Sequence, residues 1–263
     1  MQRTIFGGIG IVPIAMLAAT AVTAQSLSDA CPGADLGKPD QAVEACSAAI
    51  DSGRLRGAAQ VRALMARGIL HHGVGKLAYG HNRDEAMAAF DRAIADFSSA
   101  IGLEPRSAAA HMARGTVYFD KLVLDQAIAD YDTAIRLDPV SAKARFMRGY
   151  AWFSKGDSDR ALTDYAEAIR LKPDYADVYE ARGRIYLIRR DYAGTIVNAT
   201  GQIGLDPKDG DADLARADAH RALGEHDLAI ADYGAALSIY PDSTRAAAGR
   251  TASDAAKAEE KRK

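Results

Sequence analysis

Between Ala127 and Ile135, apolar residues fall at 127, 128, 131, 134 and 135, in steps of one, three, three and one. That spacing draws one face of a helix rather than the alternation of a strand. The pattern recurs along the chain. Leu or Ile, then any residue, then Pro closes a unit at Pro105, Pro139, Pro173, Pro207 and Pro241, each 34 residues after the last. Proline cannot continue a helix, so each marks the exit from one unit. In the same register stand Gly115, Gly149, Gly183 and Ala217, then Tyr118, Trp152, Tyr186 and His220. Ala127, Ala161, Thr195 and Ala229 follow, then Tyr131, Tyr165, Ala199 and Tyr233, then Ala134, Ala168, Gln202 and Ala236. Each unit therefore predicts two helices, with small residues where they cross and aromatics filling the space beside them.

A small residue at position 8 of 34, an aromatic at 11, Ala at 20, an aromatic at 24, Ala at 27 and Pro at 32 resembles the tetratricopeptide repeat. The resemblance covers residues 61–243 and implies an all-α fold, an α-solenoid in which antiparallel helix pairs wind into a right-handed superhelix. The expected organisation is a signal peptide over 1–24 and an N-terminal segment over 25–60 with a lone capping helix at about 38–51. An array follows as 61–107 (with an insertion), 108–141, 142–175, 176–209 and 210–243. A polar capping helix and tail occupy 244–263. In the first unit, two frames of the second helix overlap, which predicts a helix lengthened by two turns and a glycine-rich loop at 73–83. In the fourth, Thr195, Ala199 and Gln202 remove bulk, and Gly194, Gly201 and Gly204 weaken the helix. Either Tyr179, Tyr186 and Tyr192 fill that space, or the seam is a hinge.

Composition changes this picture little. The net charge of −2 lacks the basic footprint of a nucleic-acid binder. The N-terminus does matter: Arg3, the apolar run Ile5–Ala19 and Val22-Thr23-Ala24 before Gln25 have the form of a cleaved export signal. Gly7, Gly8, Gly10 and Pro13 interrupt the run and argue against a retained membrane anchor. The expected location is the periplasm or the exterior, with no stable membrane insertion after signal removal. Cys31 and Cys46 are the only cysteines, and in an oxidising compartment they are expected to form a disulfide. The alternative is a buried free thiol at Cys46, which takes the position of Tyr131 in the second-helix pattern.

Residues that could carry chemistry are few. His71, His72 and His81 lack the spacing of a metal site, and His71 stands at the aromatic position. No nucleophile elbow, phosphate loop or Cys/His pair occurs. The expected protein is not an enzyme and takes no metal or cofactor. Arg67, Arg114, Arg148, Arg182 and Arg216 recur at position seven, and pairing with acids such as Asp130 or Asp164 accounts for them more simply than a phosphate-binding ladder does.

The family resemblance implies a partner-binding groove built from first helices. Carried onto this chain it comprises Met65, Ile69, Met112, Thr116, Phe119, Phe146, Tyr150, Phe153, Glu180, Arg184 and Leu187. Asp211, Leu214, Asp218 and Arg221 extend it. The Lys/Asn pair that some members use for a terminal carboxylate is absent, since Met112 and Thr116 stand there. The expected function is a protein–protein interaction scaffold or adaptor that holds an apolar peptide or helix in the concave groove. The alternatives are a self-associating structural protein, hence a homo-oligomer, and an enzyme with an unrecognised site.

Overall fold

The computed structural model describes residues 24–35 and 37–262, so the targeting segment expected at 1–24 lies outside the described residues but for Ala24. Among the described residues the fold is all-α, an α-solenoid arrangement of successive helix pairs. None of these helices is long and apolar enough to cross a membrane. The chain forms two compact units, Met1–Pro139 and Val140–Lys263, so the array expected over 61–243 divides between two repeats.

The first unit holds α1 (Ala24–Ala30), α2 (Pro39–Asp51), α3 (Ala58–Ala78), α4 (Arg83–Leu103), α5 (Ala108–Asp120) and α6 (Leu124–Leu137). A Cβ placed on Gly68 would lie 2.6 Å from the Phe97 ring, and one on Gly75 would lie 2.5 Å from Phe90. Seven residues forward on α3 thus match seven back on α4, which makes the pair antiparallel and closely packed. This corrects the loop expected at 73–83. Residues 73–78 continue α3, and only 79–82 connect the helices. Gly75, expected in that loop, is instead a seat for the Phe90 ring, and that contact outweighs its poor helix propensity. In α5 and α6 the same contact recurs, with Gly115 against Tyr131.

Ahead of this array the N-terminal segment contains more than the single helix expected. Leu27, Ala30 and Cys31 at α1 pack with Ala42 and Cys46 of α2 and with Ala63 and Ala66 of α3. A disulfide joins Cys31 to Cys46, with Cα atoms 4.6 Å apart, so the buried Cys46 is not a free thiol.

The second unit holds α7 (Ala142–Ser154), α8 (Ser158–Leu171), α9 (Ala176–Arg189), α10 (Tyr192–Leu205), α11 (Gly210–Ala222), α12 (His226–Ile239) and α13 (Thr244–Glu260). Local sequence sets the helix starts. Two residues after the unit-closing prolines, Ser141, Asp209 and Ser243 accept the N–H of Ala144, Ala212 and Ala246, an N-cap worth about 1 kcal/mol. Ser107 does the same for α5 in the first unit. Helix α13 buries Ser253 and also Ala246, which packs with Tyr233 and Ala236 of α12.

The irregular repeat is filled rather than loose. With Ala199 where sister repeats carry tyrosine, Tyr179 lies on Gly201 and Tyr186 on Gly194, where added Cβ atoms would come within 2.3 and 2.5 Å of the rings. Cores close such gaps because an empty void forfeits dispersion contacts. The glycines make room for the rings that replace the missing one.

Candidate functional site: the first-helix faces

In each unit the first helices carry the residues expected to meet a partner. In the first unit, Met65 and Ile69 of α3 and Met112, Thr116 and Phe119 of α5 are all half-buried. Met65 and Ile69 lie against the cluster formed by Phe90, Ala93, Phe97 and Val117. Thr116 donates its hydroxyl to the Met112 carbonyl at 2.9 Å and accepts from the Tyr131 hydroxyl at 3.5 Å.

In the second unit the expected residues separate by depth. Phe146 is buried, its ring 5.9 Å from Tyr165 and 5.3 Å from Tyr175, and it belongs to the packed interior of α7, α8 and α9. Tyr150 and Phe153 are half-buried on α7. Glu180 and Arg184 are exposed and pair at 3.2 Å across one turn of α9. Leu187 is 54% exposed, and Ile188 beside it 67%. Further along, Leu214 is buried, while Asp218 accepts from the Tyr233 hydroxyl and from Arg245. Arg221 donates to the same tyrosine oxygen at 3.2 Å.

Two residues on these helices escaped the sequence reading. Ile188 is one; Lys143, half-buried at position two of its repeat, is the other, and desolvation lowers its pKa. The register that placed Asp211 at position two would have found Lys143. The Tyr165 hydroxyl is buried and finds no hydrogen-bond partner among the described residues, unlike those of Tyr131 and Tyr233. Burial pushes its pKa up, and the Arg184 guanidinium pulls the other way.

The recurrent arginines are mostly accounted for. Arg67 pairs with Asp96 at 2.7 Å, Arg114 with Asp130 at 2.8 Å, Arg148 with Asp164 at 2.5 Å and Arg216 with Asp232 at 2.6 Å. The four acids are buried. Hydrogen bonding to the partner acid raises the pKa of Arg67, Arg114 and Arg216. The histidines join this scheme separately: His71 lies 4.0 Å from Asp96, and His72 lies 2.6 Å from Asp120. His81 is exposed in the α3–α4 connection. Among the described residues no three His, Cys, Asp or Glu side chains converge to hold a metal ion. On α9 the first-helix face presents exposed apolar area, Leu187 and Ile188, beside a charged pair.

Comparison with known proteins follows the same lines. No curated protein sequence is significantly similar to this one. Solved structures with the same fold include MamA, 23% identical over 65% of this chain and 97% of that one, with a TM-score of 0.52. YrrB, described as a TPR protein with an unusual peptide-binding site, is 17% identical over 80% of this chain and 99% of its own, with a TM-score of 0.55. A tetratricopeptide repeat protein from Parabacteroides merdae ATCC 43184 is 16% identical over 83% and 87%, also at 0.55. At these identities the likeness concerns the fold. The tetratricopeptide repeat family model matches residues 76–121, 124–176, 153–194 and 202–244, more than half of the sequence. With the 34-residue period, the paired helices and the small-residue crossings, this chain belongs to the tetratricopeptide repeat family.

Proposed function

We propose that the protein is a non-enzymatic interaction scaffold whose first-helix faces bind an apolar peptide or helix of another protein. The observation that carries this reading is on α9, where Leu187 and Ile188 stand exposed one turn from the Glu180–Arg184 pair. Exposed apolar residues beside a fixed charge suit a segment that buries its own apolar side chains and is oriented by one polar contact. Tyr150 and Phe153 on α7 are the aromatic contacts of this face, and Met112, Thr116 and Phe119 the contacts of the α5 face. Phe146 is left out of the contact set because its ring is already packed. YrrB's description as peptide-binding supports the mode of recognition, not a particular ligand.

The site of action in this reading is the periplasm or the exterior. The Cys31–Cys46 disulfide supports it, because such bonds persist in oxidising compartments. Amino-terminal sequencing of the exported protein should read from Gln25.

Affinity capture from the native compartment tests the binding claim. Leu187→Asp and Tyr150→Ala should lose the partner recovered by the wild-type protein while circular dichroism stays unchanged. Equal recovery by folded variants would refute the assignment of the face. A measured mass of twice the monomer, with no other protein recovered, would favour self-association instead.

A further inference from the structure

The arginine scheme is broken at one repeat. In four repeats Nε and Nη2 of the position-seven arginine grip both oxygens of a buried aspartate, as in Arg148 with Asp164 and Arg216 with Asp232. In three of them Nη1 also reaches a hydroxyl on the preceding second helix, for instance Arg216 to Thr200 at 3.3 Å. Arg182 on α9 has neither partner. The acid is replaced by Asn198, whose Oδ1 accepts only Nε, at 2.9 Å. The hydroxyl position, sixteen residues upstream, is Ala166. The amide nitrogen of Asn198 is committed to the Tyr179 carbonyl at 2.9 Å and Gln202 at 3.1 Å. Both η nitrogens of a half-buried guanidinium are thus left without an acceptor among the described residues.

The fork is nonetheless held in place. Its carbon lies 5.3 Å from the Tyr179 ring and 5.9 Å from Tyr186, the two tyrosines seated on the α10 glycines. The helix beside it is unusual as well. From Tyr192 to Leu205, α10 contains no charged residue, whereas α8 carries Asp159, Arg160, Asp164, Glu167 and Arg170. Its exposed positions are Ala193, Val197, Thr200, Gly204 and Leu205, and Val197 is 67% exposed.

We infer that Arg182 and the neutral outer side of α10 form a second docking surface, whose occupant is a protein segment carrying one Asp or Glu between small apolar residues. Charge complementarity selects the occupant. The sister repeats fill this seat with a single carboxylate in a two-point grip, so the fork is shaped for a carboxylate. One uncompensated positive charge matches one carboxylate, while a phosphate dianion would call for a second cation. The carboxylate comes on an apolar segment because Ala166 stands where three sister repeats place a hydroxyl and the outer side of α10 exposes Val197. This surface is separate from the first-helix face, which Leu187 and Tyr150 report.

The full chain is titrated with acetyl-Leu-Ala-Ala-Glu-Ala-Ala-Leu-amide and with its Gln counterpart, following the Arg182 Nε–Hε and Val197 methyl signals by NMR. The Glu peptide should shift both signals and bind at least about tenfold more tightly than the Gln peptide. Asn198→Asp, which gives Arg182 the acid that its four sisters grip, should abolish that difference in protein whose circular dichroism and melting temperature match the wild type. Arg182→Gln should do the same, and Leu187→Asp should leave it intact. Equal binding of the two peptides, or persistence of the difference in Asn198→Asp, overturns the proposal. So does sodium phosphate if it shifts Arg182 as strongly at equal concentration, since the seat would then be a small-anion site only.

Discussion

At the scale of single residues, the buried acids decide more than their number suggests. Asp130 is buried, accepts twice from Arg114 and lies 3.0 Å from His111. Removing one member of such a group strands the others in a poorly solvated site. Asp130→Ala should therefore cost about 3 kcal/mol in urea unfolding, and Asp130→Asn less, because Asn198 shows that an amide can still accept from the arginine Nε. Equal costs for the two would mean that the charge matters little. His71 supplies a pH test. Burial lowers its pKa, Arg67 and Arg92 add to the effect, and Asp96 offsets part of it. The folded state then holds fewer protons than the unfolded state below the unfolded value, roughly 6.5. Stability should fall as pH drops from about 6.5 toward the folded pKa. His71→Phe, which installs an aromatic where sister repeats have Tyr118 and Trp152, should flatten that slope; an unchanged slope would assign it to other groups.

At the scale of elements, the glycines of α10 separate propensity from packing. Helix propensity alone makes every glycine-to-alanine change stabilising by up to about 1 kcal/mol. Gly204 has nothing within 4 Å of an added Cβ, so Gly204→Ala should stabilise by that amount. At Gly201 the Cβ would lie 2.3 Å from Tyr179, so Gly201→Ala should destabilise, by roughly 1–3 kcal/mol for overpacking. Stabilisation by both changes, read from thermal melts, would show the tyrosine seat to be loose. These glycines also explain where the sequence misleads. The period and the helix pairs were legible because each follows from spacing and proline. The 73–83 segment was not, because glycine as a breaker and glycine as a seat for Phe90 look the same until the partner ring is placed. The filling of the α9–α10 seam could be read only in part: bulk was missing from the pattern, and Tyr179 and Tyr186 were at hand. That Phe146 belongs inside depends on Tyr175, a neighbour in the next repeat, which a per-repeat register does not weigh. Lys143 was missed although the register contained it.

At the scale of the whole molecule, the account rests on a division of labour. Second helices, buried aspartates and glycine seats hold the helix pairs together, and the partner contacts proposed above lie on the first-helix faces. The Arg184–Glu180 pair and the exposed Leu187 and Ile188 are dispensable for the fold in this view, since an exposed substitution ordinarily changes stability by less than about 0.5 kcal/mol. Their effect should appear in binding alone. The most direct measurement is the affinity, by calorimetry, of peptides selected on the full chain from a random phage-displayed library, for the wild-type protein and for Leu187→Asp with Ile188→Asp. The account predicts selected peptides with apolar residues at their core, and a loss of at least about thirtyfold in affinity (~2 kcal/mol) in the variant with its melting temperature unchanged. Peptides that bind the folded variant as tightly as the wild type would contradict it.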